Sequence, residues 1–199
     1  MKKLSLCLAL LGLLGLGGSA FAVQNTIDAV PAATLLLPYF EVDLTGNGIN
    51  TLFSINNASA TAVLAHVTVW SDWSVPVLDF DVYLTGYDVQ SISMFDILGN
   101  GNLPYTASAG QDPKDTISPQ GPVSQDINFA SCANTLPYQN PAISPAFKAH
   151  LQAALKGLKS PATGRCYGEP YGDNIVRGYV TVDTVNACNT TFPSEPGYF

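Results

Sequence analysis

The chain has 199 residues, 47% of them hydrophobic and only 12% charged, with a formal net charge of −7. An acidic chain without a basic cluster is repelled by phosphate backbones and anionic headgroups, which argues against nucleic acid and acidic membrane surfaces as partners. The length allows one domain with a substantial core.

The first 22 residues read as a cleavable secretory signal peptide. Lys2 and Lys3 form the basic start, Leu4 to Leu16 the apolar stretch, and Gly17, Gly18 and Ser19 break it. Ala20-Phe21-Ala22 offers small residues to signal peptidase, so cleavage is expected between Ala22 and Val23. The apolar stretch is shorter than the roughly 20 residues of a spanning helix. Cys7 follows Leu6 inside that stretch, which argues against lipidation. Removing the leader leaves six basic residues against fifteen acidic, a net charge of −9.

From Thr34 to Leu98 the pattern is that of β-structure. Thr34 to Phe40 is an apolar run that Pro38 demotes to an edge strand or a strand end. Asp43 to Asn50 reads as a turn. It echoes the first positions of a calcium loop, but Ser54 stands where a bidentate Glu is needed. Thr51 to Asn57 is a strand, followed by Ala62 to Ser71 with Val63, Ala65, Val67 and Val69 on one face. His66, Thr68 and Trp70 fall on the other, where His66 is expected to be a surface or second-face histidine. In Val77 to Thr85, Leu78, Phe80, Val82 and Leu84 point inward, while Asp79, Asp81, Tyr83 and Thr85 point to solvent. Val89 to Met94 gives a fifth strand, with a helical turn at Phe95 to Leu98.

Residues 99–145 lack a sustained period and hold half of the prolines, which marks a long loop excursion. Ser144 and Pro145 then open a helix over 144–159. Its apolar stripe is Phe147, Leu151, Ala154, Leu155 and Leu158, with His150 off the stripe and expected in solvent. Ile175 to Asn186 is a last strand, with Val176, Val180 and Val182 on one side and Arg177, Tyr179, Thr181 and Asp183 on the other. Short strands joined by turns, with one helix, predict a mostly β protein: a single antiparallel β-sandwich domain over 23–199 with one decorating helix.

Cys132, Cys166 and Cys188 remain after cleavage, so one disulfide and one leftover thiol are expected in an oxidising compartment. Cys132–Cys166 would clamp the helix; Cys166–Cys188 would tie the loop before the last strand to that strand's end. The first is preferred. No Cys-x-x-Cys is present, and no metal or cofactor is expected.

Asn57-Ala58-Ser59, the run Val67 to Asp72, the run Phe80 to Leu84 and Asp96-Ile97-Leu98 resemble immunoglobulin-like domains of secreted bacterial proteins. Leu37 to Asp43 and Gly178 to Asp183 are similar to segments of uncharacterised exported proteins of Gram-negative bacteria. The resemblance implies an immunoglobulin-like sandwich in the periplasm, at the cell surface or outside the cell, and implies no catalytic residue.

Three functions are weighed. The first is a non-catalytic structural or interaction protein, whose partners are other surface proteins or a second copy met at a strand edge. The second is a carbohydrate-binding module that uses Trp70, Trp73, Tyr83 and Tyr87, which crowd one stretch of sequence. The third is a glycoside hydrolase drawing on the carboxylates Asp72, Asp79 and Asp81, with Asp79 or Asp81 as the working group, these two being roughly 7 Å apart along a strand. The odd cysteine count and the aromatic, Pro-rich tail also suggest a folding unit completed by further chain or by a partner's strand.

Overall fold

The computed structural model describes residues 31–104, 132, 142–188, 191–192 and 195–196. Contacts divide the chain into Met1–Pro31 and Ala32–Phe199. The residues read as a signal peptide, the expected cleavage site and most of the 99–145 excursion lie outside the described residues.

The protein is mostly β, with two antiparallel sheets and one helix. The strands are β1 (Thr34–Asp43), β2 (Leu52–Asn56), β3 (Val63–Trp70), β4 (Pro76–Leu84), β5 (Val89–Ser93) and β6 (Ile175–Thr184). The helix, α1, is Pro145–Leu155. A four-stranded sheet has the order β1-β6-β3-β4, and a two-stranded sheet pairs β2 with β5.

The second to fifth strands form one long folded ribbon: β3 pairs with β4, and β2 pairs with β5 around them. The ribbon bends at Asn57, which is buried because its side chain holds both arms. Its amide donates to the carbonyls of Thr61 and Thr85, and its oxygen accepts from the Ser59 amide and hydroxyl. Pro38 sits at the edge as its missing N–H requires: β1 is outermost, and its register shifts between Leu37 and Phe40.

The core lies between the sheets. Phe40, Val42, Ala65, Val67, Val69, Leu78, Phe80, Val82, Val176, Val180 and Val182 line the inner face of the larger sheet. Ile55 and Ile92 of the smaller sheet pack there, with Leu151, Ala154 and Leu155 of α1. Gly178 occurs in this row because a Cβ would collide with the Trp70 carbonyl and the Phe40 ring. The alternation read from sequence thus assigns the inward residues correctly.

Helix α1 starts as its cap dictates: Ser144 Oγ accepts from the Phe147 amide, with Pro145 in the first turn. It ends at Leu155, earlier than the sequence stripe suggests, because Gly157 turns the chain at a φ of 66°. Leu158 lies past that turn and stays partly exposed, as does Phe147 in the first turn. The wide helical turn Asp96–Asn100 docks against the helix, with Gln152 Nε2 donating to the Leu98 carbonyl at 2.6 Å. The two ends of the excursion meet: Ile143 N donates to Gly101 O at 2.7 Å, and Asn102 bridges Ala142. No described helix is long and apolar enough to cross a membrane.

Candidate functional site

The polar residues of β1, β6, β3 and β4 share the outer face of the larger sheet, and register sorts them into rows. Thr34, Asp183, His66 and Asp81 lie side by side on four adjacent strands. Leu36, Thr181, Thr68 and Asp79 form the next row. Beyond them Tyr179 faces Trp70, and Glu41 faces Arg177.

The middle of the first two rows is covered, while their β1 members Thr34 and Leu36 stay exposed. His66 and Thr68 are fully buried, and Asp81 and Asp183 nearly so. This corrects the sequence expectation that Asp79 and Asp81 meet solvent, and of the two settings expected for His66 it is the second face and not the surface. A polar strand face can be buried when its groups satisfy one another, and here Asp81, Asp183 and the Nδ1 of His66 do so. The Thr34 hydroxyl donates to Asp183 at 2.6 Å, and His66 Nδ1 lies 2.9 Å from Asp81 Oδ1. A carboxylate only accepts, so the imidazole N–H is the donor. His66 Nε2 lies 3.6 Å from Asp79 Oδ2, beyond a direct hydrogen bond. Burial pushes the Asp79 carboxyl up; His66 opposes that rise and the Asp81 charge adds to it. Thr68 Oγ1 and Asp79 Oδ2 have no hydrogen-bond partner among the described residues.

Tyr83 closes this end in an apolar patch with Leu64, Val185 and Cys132. Cys132 bonds to Cys188, with Cα atoms 5.1 Å apart, which corrects both pairings weighed from sequence. The cause is topological. The antiparallel β6 carries its C-terminal end to Leu64, where the Val185 amide donates to the Leu64 carbonyl. Cys166 follows α1 at the other end of the sheet, beside Tyr167, whose carbonyl accepts from Ser71 Oγ. It is exposed and outside any disulfide.

The opposite end of the outer face is open. Trp70 and Tyr179 lie with parallel rings, centroids 5.7 Å apart, and Trp70 Nε1 donates to Thr181 Oγ1 at 2.9 Å. The bulge of β1 presents Tyr39, whose hydroxyl donates to Glu41 at 3.0 Å. Arg177 is held by both oxygens of Asp173, at 3.0 and 2.8 Å, and stands 4.8 Å from the ring centre of Tyr171. That paired geometry holds Asp173 below the usual carboxylate range and raises Arg177 further. Asp72, in the turn after β3, accepts from the Glu169 amide and the Tyr171 hydroxyl, so it positions this loop.

The four aromatic residues singled out by sequence do not form one surface. Tyr83 is buried at the covered end. Trp73 and Tyr87 are exposed at opposite ends of β4, a strand of nine residues or about 30 Å. Only Trp70 belongs to the open row. Its companions Tyr39, Tyr171 and Tyr179 come from distant parts of the sequence, and the one signal for them was the outward alternation of Tyr179. His150 is half-buried rather than solvated. It hydrogen-bonds Ser160 at 2.7 Å and packs on Tyr167, and burial lowers its pKa.

The Asp43 to Asn50 segment is a closed turn: Asp43 accepts from the Thr45 amide at 2.8 Å and donates its own N–H to the Ile49 carbonyl. Among the described residues no group of three or more His, Cys, Asp or Glu is placed to hold a metal ion. Comparison with protein-family models, curated proteins and solved structures finds no match to the chain.

Proposed function

We propose that this is an exported, non-catalytic binding protein of a Gram-negative bacterium, an immunoglobulin-like sandwich acting in the periplasm, at the cell surface or outside the cell. The observation that carries the reading is the division of the outer face. His66, Asp79 and Asp81 are the set best suited to acid–base chemistry, and they are buried against one another. What meets solvent is an aromatic row and an apolar edge, the features that bind rather than react.

Export is supported by the basic and apolar start of the sequence and by the Cys132–Cys188 bridge, which suits an oxidising compartment. The immunoglobulin-like reading is supported by the two packed sheets and the folded β2–β5 ribbon. Association through an edge is supported by β1, whose outer side pairs with no described strand and exposes Leu35 and Leu36.

Expression with the native leader in a Gram-negative host tests the proposal. The expected product is outside the cytoplasm, begins at Val23, and turns over none of a broad panel of glycoside and ester substrates. Retention of Met1 in the cytoplasm contradicts export. Turnover that disappears in Asp79→Asn contradicts the non-catalytic reading.

A further inference from the structure

We infer that the open end of the outer face, built from Tyr39, Trp70, Tyr179, Tyr171 and Arg177, is a binding site for a neutral saccharide chain. The inference rests on the non-catalytic binding role proposed above and names the ligand class.

Three features select that ligand. The first is the row itself. Tyr39, Tyr179 and Trp70 stand on β1, β6 and β3, which are neighbours in the sheet. Three adjacent strands span about 10 Å, the length of a short run of pyranose rings, whose C–H faces stack on aromatic rings. Tyr39 and Tyr171 are more than half exposed, at 54% and 56%, so their ring surfaces are available.

The second is the set of polar groups beside the rings. Glu41 and Asp173 are acceptors, and Arg177 is a rigid donor fork already held by Asp173. Sugar hydroxyls both donate and accept, so they can join this preformed arrangement without displacing it. The third is charge. Arg177 is already neutralised by its carboxylates, and the chain is strongly acidic. An anionic ligand is repelled, and a cationic one meets Arg177. An uncharged polyhydroxylated chain meets neither penalty.

The test is affinity electrophoresis of the oxidised protein in gels containing cellulose ether, xylan, galactomannan, β-1,3-glucan or starch. It is paired with tryptophan fluorescence on Trp73→Phe, which leaves Trp70 as the reporter. At least one polysaccharide should retard the protein and shift the Trp70 emission. Tyr39→Ala and Tyr171→Ala should each weaken binding about five- to tenfold, the factor that roughly 1–1.4 kcal/mol of lost stacking gives. Tyr87→Ala, an exposed aromatic outside the row, should leave it unchanged. Absence of retardation in all five gels overturns the inference, as does retardation indifferent to both row variants. Either result leaves the non-catalytic reading standing, whereas shortening of a polysaccharide during the run would contradict that reading instead.

Discussion

At one end of the outer face, His66, Asp81 and Asp183 are buried and hydrogen-bonded to their neighbours. At the other, Tyr39 and Tyr171 keep more than half of their surface in solvent. Both ends are built by the same alternation on the same strands. What separates them is what lies above: the Cys132–Cys188 bridge and its apolar patch occur only at the first. Polar residues on a strand therefore do not declare their own role. Covered, they become part of the fold; uncovered, they are free to recognise something.

Removing the cover should have the largest effect. The bridge closes 56 residues of sequence, and opening it by Cys132→Ser with Cys188→Ser should cost about 4 kcal/mol on chain-entropy grounds. Urea unfolding of oxidised protein and double variant reads this as a lowered midpoint. The open end should be indifferent: parallel ring packing of Trp70, read from its fluorescence in Trp73→Phe, should persist in the folded double variant.

Breaking the covered pair comes next. Asp81→Ala removes the acceptor of the buried His66 N–H and should cost about 2 kcal/mol, within the range for a buried donor left unsatisfied. Asp81→Asn keeps a carbonyl acceptor and should cost less. Equal losses for the two would show that packing, and not the hydrogen bond, is what Asp81 supplies.

Much of this architecture can be read in the sequence. Leu78, Phe80, Val82 and Leu84 announce their burial by strict alternation, and Pro38 announces an edge. The outer face could not be read the same way. Alternation separates polar from apolar but does not say whether a polar face is dry. That depends on partners such as Thr34 for the buried Asp183, 149 residues away, which only the strand order supplies. The disulfide was hidden for the same reason: insertion of β6 between β1 and β3 decides that Cys188, and not Cys166, arrives beside Cys132. The open aromatic row is assembled from three strands and a loop, so sequence proximity favoured Trp73 and Tyr87 in its place.

A smaller effect separates the two ends by pH. Burial raises the Asp79 carboxyl above its ordinary 3.8, so the folded state holds that proton more tightly than the unfolded chain does. The resulting stability is fully present below the unfolded value and is lost as pH rises through the folded one. Asp79→Asn, which cannot ionise, should therefore match the parent at low pH and be the more stable of the two at neutral pH. Urea midpoints of both proteins at pH 3.5 and pH 7 give the comparison, and a variant less stable at pH 7 would show that the Asp79–His66 attraction outweighs burial.

The sealing of the covered end is most directly open to measurement through the chain's two histidines. Diethyl pyrocarbonate modifies neutral, reachable imidazoles, and peptide mass reads each site separately. In the folded, oxidised protein at pH 7, His150 is half-buried with its pKa lowered by burial, and it should react. His66, with no exposed surface, should stay unmodified until urea unfolds the chain. Modification of His66 at the rate of His150 in the folded protein would contradict the account, because a histidine that reagents reach is also one that substrates could reach.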